Sequence, residues 1–323
     1  MAAHDIVPTI DLSAVTDDGL AVIDRACRDH GFFLLSGHGL DAVIDDTWEH
    51  ARRFFDTDRS AKVAVMRDQQ NPLGYFDREL TKRRRDHKEV FDFADPGSPA
   101  SESRNRWPEG MDEFRTAMVG FYDAFSDLAV ATTSLVHRSL GLDPGTLGAY
   151  HGDRTRSAVR LNHYPVGDPV PEGERDDLQD LGDTALGYHT DPGVLTLLLQ
   201  DGTGGLQAQA ADGSWVDIEP QPGTVVVNMA DAMQVWTNDC YRAAVHRVVP
   251  MTDRDRISIP YFLNPARDAV IEPIAELAGA TPLYVPFAWS SYMRARNDDN
   301  FEDLGAADAQ ISDYRTDGVG VIG

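Results

Sequence analysis

The sequence predicts a mainly β protein, a sandwich or barrel with helices on its flank, and three observations carry that expectation. From Ala158 onward, short alternating apolar and polar runs recur at roughly ten-residue spacing, with Gly, Pro and Asp turns between them. Ahead of them lie two amphipathic stripes and one long stripe of helical period. Finally, 323 residues are enough to bury a sizeable interior as one large domain, or as a core with a cap. The expected division is an N-terminal helical and mixed region, residues 1–150, packing on a β core with a C-terminal helical segment, residues 151–323, the two making one structural unit.

Taken in order, Thr9 to Leu12 reads as a short opening strand. Leu20, Ile23, Ala26 and Cys27 form a helical stripe that stops at Gly31, a glycine suited to end a helix. Phe32 to Leu35 is apolar and strand-like, and Gly37-His38-Gly39 is a turn. Val43, Ile44, Trp48, Ala51, Phe54 and Phe55 make a second stripe, whose aromatics read as core packing. Residues 66–110 read as irregular. They hold a basic cluster, Lys82 to Arg85, whose simplest reading is a solvated face; that the segment overhangs a site and meets an anionic substrate stays open here. Phe114 to Leu140 marks a long helix ending near Gly141. The acidic, Gly- and Pro-rich stretch from Val166 to Leu186 reads as a surface loop between two strands. The segment from Trp289 to Tyr314, helical around Ser291 to Arg296, is expected to fold back over the barrel.

The charge is the unusual feature of the composition. A formal net charge of −24 argues against nucleic acid and anionic membrane as partners, since both need a basic surface. Lysine occurs at Lys62, Lys82 and Lys88 alone. Cys27 and Cys240 lie far apart, without metal-like spacing. With no apolar leader and no long apolar run, a cytoplasmic protein is expected, with a monomer as the default.

The chemistry-bearing stretch is Tyr188-His189-Thr190-Asp191. On an extended segment His189 and Asp191 leave the same face, offering a metal one imidazole and one carboxylate. His246 sits in Ala244-Val245-His246-Arg247-Val248-Val249, another strand with one buried face, and supplies a third ligand. Two His and one carboxylate on one side of a metal leave the other side open, the arrangement of non-haem Fe(II) oxygenases. Arg256 and Ser258 again share a face, and a guanidinium beside a hydroxyl suits a carboxylate. Arg247 alternates away from His246 and reads as a surface or structural residue. Each piece is common by itself; the ordered set, with strand signals around every member, is specific.

At these residues the chain resembles the isopenicillin-N-synthase-like family of Fe(II)/2-oxoglutarate-dependent dioxygenases. Arg160-Leu161-Asn162-His163-Tyr164-Pro165 resembles the family's Arg-x-Asn-x-Tyr-Pro strand, and His189 through Gln200 and Gly204-Gly205-Leu206-Gln207 resemble its central block. Pro222-Gly223 to Asn228, His246-Arg247-Val248 and Arg256-Ile257-Ser258-Ile259-Pro260 continue the likeness. Val7 to Leu12 and Gly31 to Gly39 match its N-terminal region. Ala230, and Asn238-Asp239 in place of a common turn glycine, are departures that touch local turn geometry.

The resemblance implies a double-stranded β-helix core, a jelly roll of cupin type. It implies Fe(II) on His189, Asp191 and His246, O2 as oxidant, and 2-oxoglutarate as co-substrate, its far carboxylate on Arg256 and Ser258 with Tyr164 and Asn162 beside it. Oxidative decarboxylation to succinate and CO2 is then coupled to hydroxylation, desaturation or cyclisation of a small organic substrate. Three alternatives stay open: an iron oxidase without 2-oxoglutarate, an ethylene-forming enzyme, and a non-catalytic scaffold. Candidates for the substrate pocket are Tyr75, Phe91, Phe93, Tyr188, Phe262, Trp289 and Tyr292.

Overall fold

Alternation along the strands decides which side chains meet solvent, core or cleft. The computed structural model describes residues 7–143, 157–210, 212–279, 281–297 and 309–317. In chain order, β1 (Thr9–Asp11) leads to α1 (Asp17–Asp29), β2 (Phe32–Ser36), α2 (Asp41–Phe55) and α3 (Arg59–Ala64). Next come β3 (Gly74–Phe76), β4 (Leu80–Thr81), β5 (Arg84–Arg85), β6 (Glu89–Ala94), α4 (Pro99–Glu102) and the long α5 (Asp112–Ser139). The β-rich half runs through β7 (Ala158–Tyr164), β8 (Leu186–His189), β9 (Leu195–Gln200), β10 (Leu206–Gln209), β11 (Trp215–Asp217) and β12 (Val225–Met229). It ends with α6 (Asp231–Trp236), β13 (His246–Val248), β14 (Arg256–Leu263), β15 (Val270–Ile271), α7 (Ala275–Ala278), β16 (Phe287–Ala288) and α8 (Trp289–Asn297).

Local signals explain the helices. Thr16 caps α1 by accepting from the Gly19 amide, Asp17 and Asp18 occupy the first turn, and Arg28 the last, each favourable to the helix dipole. The chain leaves α1 through Gly31 at φ +75°, where a Cβ would collide with the Arg242 carbonyl, so glycine is required by backbone and by space. α5 is buried along most of its length, through Phe114, Met118, Phe121, Tyr122 and Phe125.

An eight-stranded sheet, ordered β1-β2-β12-β9-β14-β7-β6-β3, faces a four-stranded sheet, β11-β10-β13-β8, in a jelly roll. The N-terminal strands are hydrogen-bonded onto both sides of the core strands: β2 pairs with β12, and β6 with β7. The expected boundary at residue 150 lies outside the described residues. The reading of residues 66–110 as irregular is corrected: β6 is a six-residue strand and β3 extends the sheet beyond it. Its sequence hides this because Glu89 and Asp92 interrupt the apolar run, yet both are buried in ion pairs.

The large sheet has two unlike faces. Phe33 and Leu35, Leu197 and Leu199, Val225 and Val227, Ile259 and Tyr261, and Phe91 and Phe93 join the helices in the main hydrophobic core. Their alternates, including Phe32, Leu34, Leu198 and Val226, turn toward the small sheet and pack on Leu206, Ala208 and Val248. Among the described residues no helix is long and apolar enough to cross a membrane.

Candidate active site

Between the sheets lies a cleft of about 1170 Å³, lined by alternate residues of both. β8 and β13 are antiparallel, and their register sets His189 directly opposite His246. The ring centroids are 4.3 Å apart. Asp191 follows just past the end of β8 and turns its Oδ1 toward both rings, 3.6 Å from Nε2 of His189 and 3.8 Å from Nε2 of His246. The three ligand atoms lie within 4.8 Å of one another, the spacing of a group able to hold one metal ion.

Backbone and side-chain partners orient every member. Nδ1 of His189 is 2.8 Å from the Gly187 carbonyl, and Nδ1 of His246 is 2.9 Å from the Ala244 carbonyl. A carbonyl only accepts, so each Nδ1 carries the proton and each Nε2 presents its lone pair. Oδ2 of Asp191 accepts from the Thr196 hydroxyl at 2.5 Å and the Asn228 amide at 2.9 Å, which leaves Oδ1 for the metal. Burial and the neighbouring His246 push His189 down to about 3. Burial pushes Asp191 up, but His246, His189 and the two hydrogen bonds outweigh it and hold the carboxyl below its usual range. Both shifts favour the metal-ready forms, neutral imidazole and carboxylate.

A second group of residues sits on β7 and β14. Their register opposes Arg256 to Tyr164 and Ser258 to Asn162. Arg256 is completely buried, donates from Nη1 to the Ser258 hydroxyl at 3.0 Å, and lies over the Tyr164 ring at 4.9 Å. Its Nε and Nη2, and Oδ1 of Asn162, are buried without a hydrogen-bond partner among the described residues. An ionised fork left unsatisfied in the interior is costly unless an anion completes it.

Two family models match the chain: the 2OG-Fe(II) oxygenase superfamily over residues 155–265, and the non-haem dioxygenase in morphine synthesis N-terminal region over residues 7–110. A gibberellin 2-beta-dioxygenase of Phaseolus coccineus is 31% identical over 317 residues, covering 95% of this chain and 91% of that protein. The chain belongs to the 2OG-Fe(II) oxygenases. Another relative of this oxygenase is a homoarginine-6-hydroxylase of Oryza sativa subsp. japonica, 30% identical over 294 residues, covering 84% of the chain and 87% of the relative. Among solved structures, JOX2 in complex with 2OG, Fe and JA matches with a TM-score of 0.77 and 28% identity, over 89% of this chain and 83% of that one. A dioxygenase for auxin oxidation in rice matches with a TM-score of 0.73 and 26% identity, over 90% of this chain and 95% of that one. The oxygenase thus uses Fe(II) and 2-oxoglutarate and acts on a small organic substrate. Its residues fit both: mixed nitrogen and oxygen donors suit Fe(II), and the unsatisfied guanidinium suits a dicarboxylate.

Of the seven aromatic candidates for the substrate pocket, Tyr188 and Phe262 line the cleft. The other five are not among its lining residues, and the structure corrects their placement. Tyr75, Phe91 and Phe93 share the opposite strand face and stack with Phe54, Trp107 and Phe114 in the core. Trp289 and Tyr292 are buried on the inner side of α8, where the Tyr292 hydroxyl donates to Asp231 at 2.6 Å, while Met293 and Arg296 face the cleft. Aromatic identity does not distinguish the two groups: the face of β6 that turns to the helices places Phe91 and Phe93, and the packing of α8 places Trp289 and Tyr292.

The sequence reading missed Thr196 and Asn228, although their strand parity matches the cleft face. It also missed the anchoring of the metal loop from α8, where Nη2 of Arg296 donates to the Thr190 carbonyl at 2.6 Å. The basic cluster is not uniformly solvated: Arg85 is buried in a two-point pair with Asp168. Arg247 is held by Gln207 and the Trp215 ring and also lines the cleft, which its alternation away from His246 does not foresee. Asn238 and Asp239 adopt positive φ, 52° and 65°, in place of the absent turn glycine. Asn238 accepts from the Leu283 amide, and Asp239 is held by Tyr284 and Arg315.

Proposed function

We propose that this oxygenase hydroxylates its substrate, with His189, Asp191 and His246 as the iron ligands and Arg256 as the seat of the 2-oxoglutarate far carboxylate. The observation that carries the reading is the pairing of an oriented triad with a buried, unsatisfied guanidinium in one cleft. Bound iron supplies activation of O2 and of the keto acid. The chain's residues do the rest: Thr196 and Asn228 fix the carboxylate that meets the metal. Ser258 fixes the guanidinium fork. Tyr164 lies beneath it and adds a hydroxyl, Asn162 offers its free Oδ1, and Leu198, Leu206 and Val248 exclude water from the inner end of the cleft.

The relatives act on chemically unlike molecules, since their names include a gibberellin and homoarginine. The class of substrate must therefore be sought in this cleft. A cytoplasmic location is part of the same reading and accords with the absence of an apolar spanning helix among the described residues.

The test is anaerobic titration of the metal-free protein with Fe(II) and then 2-oxoglutarate, following the visible metal-to-ligand charge-transfer band. A saturable band that is lost in Asp191→Ala supports the assignment. Iron binding without a band would favour an oxidase that does not use 2-oxoglutarate, and no iron binding would favour a scaffold.

A further inference from the structure

The cleft reverses the charge of the chain that surrounds it. The whole protein has 53 Asp and Glu against 29 Lys and Arg. The described residues lining the cleft include ten Lys and Arg against five Asp and Glu, and three further carboxylates, Asp86, Asp239 and Asp317, pair with these cations from behind the lining, which leaves an excess of two positive charges. Such a basic cleft in an acidic protein focuses field lines and draws anions inward. 2-Oxoglutarate accounts for Arg256, but the other cations lie elsewhere.

Most of them are already committed. Arg67, Lys88 and Arg160 are paired with Glu79, Asp86 and Asp92 in a network that balances three charges of each sign. Arg296 binds backbone carbonyls and Arg315 binds Asp239 and Asp317. Arg247 is held by Gln207 and the Trp215 ring. Lys82 and Arg242 are both exposed at the cleft and pair with no carboxylate among the described residues. Of these two, Lys82 lies on the hairpin beside the metal strand and rests its ammonium over the Tyr188 ring at 2.8 Å from the centroid.

Its setting is unusual as well. Lys82 and Arg83 form the two-residue tip between β4 and β5, with φ of 51° and 65°. Such tips are at ease with Asn and Gly, whereas a long side chain bears a steric penalty there. The hairpin packs closely on the metal strand: a Cβ on Gly187 would meet Thr81 at 2.5 Å, and Gly187 lies two residues before His189. Strain held at the mouth of an active site is a pointer to function.

We propose that the primary substrate carries an anionic group, a carboxylate or a group of like charge, and that Lys82 at the hairpin tip receives it beside Tyr188. Lys82 is in this account a specificity-determining residue, and the proposal rests on the oxygenase reading above.

The experiment uses the full-length protein, loaded anaerobically with Fe(II) and saturating 2-oxoglutarate. Phenylacetate, cinnamate and hexanoate are each titrated by calorimetry beside their primary amides, in the wild type and in Lys82→Ala and Lys82→Glu. The acids are expected to bind about tenfold tighter than the amides, the strength of one charge-assisted hydrogen bond. That preference should shrink in Lys82→Ala and vanish in Lys82→Glu, while the 2-oxoglutarate titration stays within twofold of wild type. Equal binding of acids and amides, an acid preference that survives Lys82→Glu, or no binding by either series overturns the proposal. The charge-transfer band, recorded in each sample, separates this from failure of the oxygenase reading, which would show as loss of the band in the wild type.

Discussion

Replacing Arg256 by Met isolates the co-substrate site, because Met nearly preserves length and packing while removing the fork. In the folded protein the fork has two buried nitrogens, Nε and Nη2, without hydrogen-bond partners among the described residues. If both donate to the far carboxylate, two charge-assisted hydrogen bonds of about 1.5–3 kcal/mol each disappear in the variant. The expected loss in 2-oxoglutarate affinity is two to four orders of magnitude, about 300-fold as a working figure. At a concentration of about 100 times the wild-type dissociation constant, 2-oxoglutarate stabilises the folded state by about 2.7 kcal/mol. The same concentration stabilises the variant by about 0.2 kcal/mol. For a chain of this length the wild-type increment is a rise of about 4 °C in midpoint, and the variant shows almost none. The assay is thermal unfolding under anaerobic conditions with saturating Fe(II), with and without 2-oxoglutarate. Without co-substrate the variant should be close to wild type in stability, since a buried unpaired charge has given way to an apolar side chain. Equal 2-oxoglutarate increments in the two proteins would refute the assignment of Arg256.

Thr196→Val and Asn228→Ala each remove one of the two hydrogen bonds to Oδ2 of Asp191, and each is expected to weaken Fe(II) binding by about 10–100-fold in competition with a chelator; unchanged affinity would mean that the carboxylate is held by other contacts. Phe91→Ala is expected to cost about 3–5 kcal/mol in denaturant unfolding while leaving the charge-transfer titration unchanged, and a shift in that titration with intact stability would return Phe91 to the site. The metal-free protein should lose stability as the pH falls from about 6.5, because His189 is held neutral in the fold but protonates at its ordinary pKa when unfolded. That contribution is fully present above the unfolded value and is lost progressively toward the depressed folded value. Asp191 is also depressed, so its contribution is lost only below the ordinary carboxylate range. His189→Gln should therefore flatten the pH dependence of denaturation between pH 6.5 and pH 4 measured without metal, and an unaltered slope would count against the cause given.

The sequence by itself determined the architecture and the triad. Strand period and turn residues announced the β core, and His189-Thr190-Asp191, His246 and Arg256-Ile257-Ser258 were legible because same-face spacing in an extended strand is a property of the local backbone. The helices α1, α2 and α5 were legible for the same local reason. What the tertiary structure decided was which strand meets which. Only the register of β8 with β13 sets His189 opposite His246, and only that of β7 with β14 brings Arg256 to Tyr164. The status of Phe91 and Phe93 depends on which face of β6 turns to the helices, a choice set by sheet neighbours far away along the chain. The committed and uncommitted cations of the cleft were equally hidden. A run such as Lys82-Arg83-Arg84-Arg85 reads as one basic cluster, yet folding buries Arg85 against Asp168 and leaves Lys82 over Tyr188. Long-range pairing alone separates them, because a charge acquires its role from the groups the fold brings within a few ångströms of it.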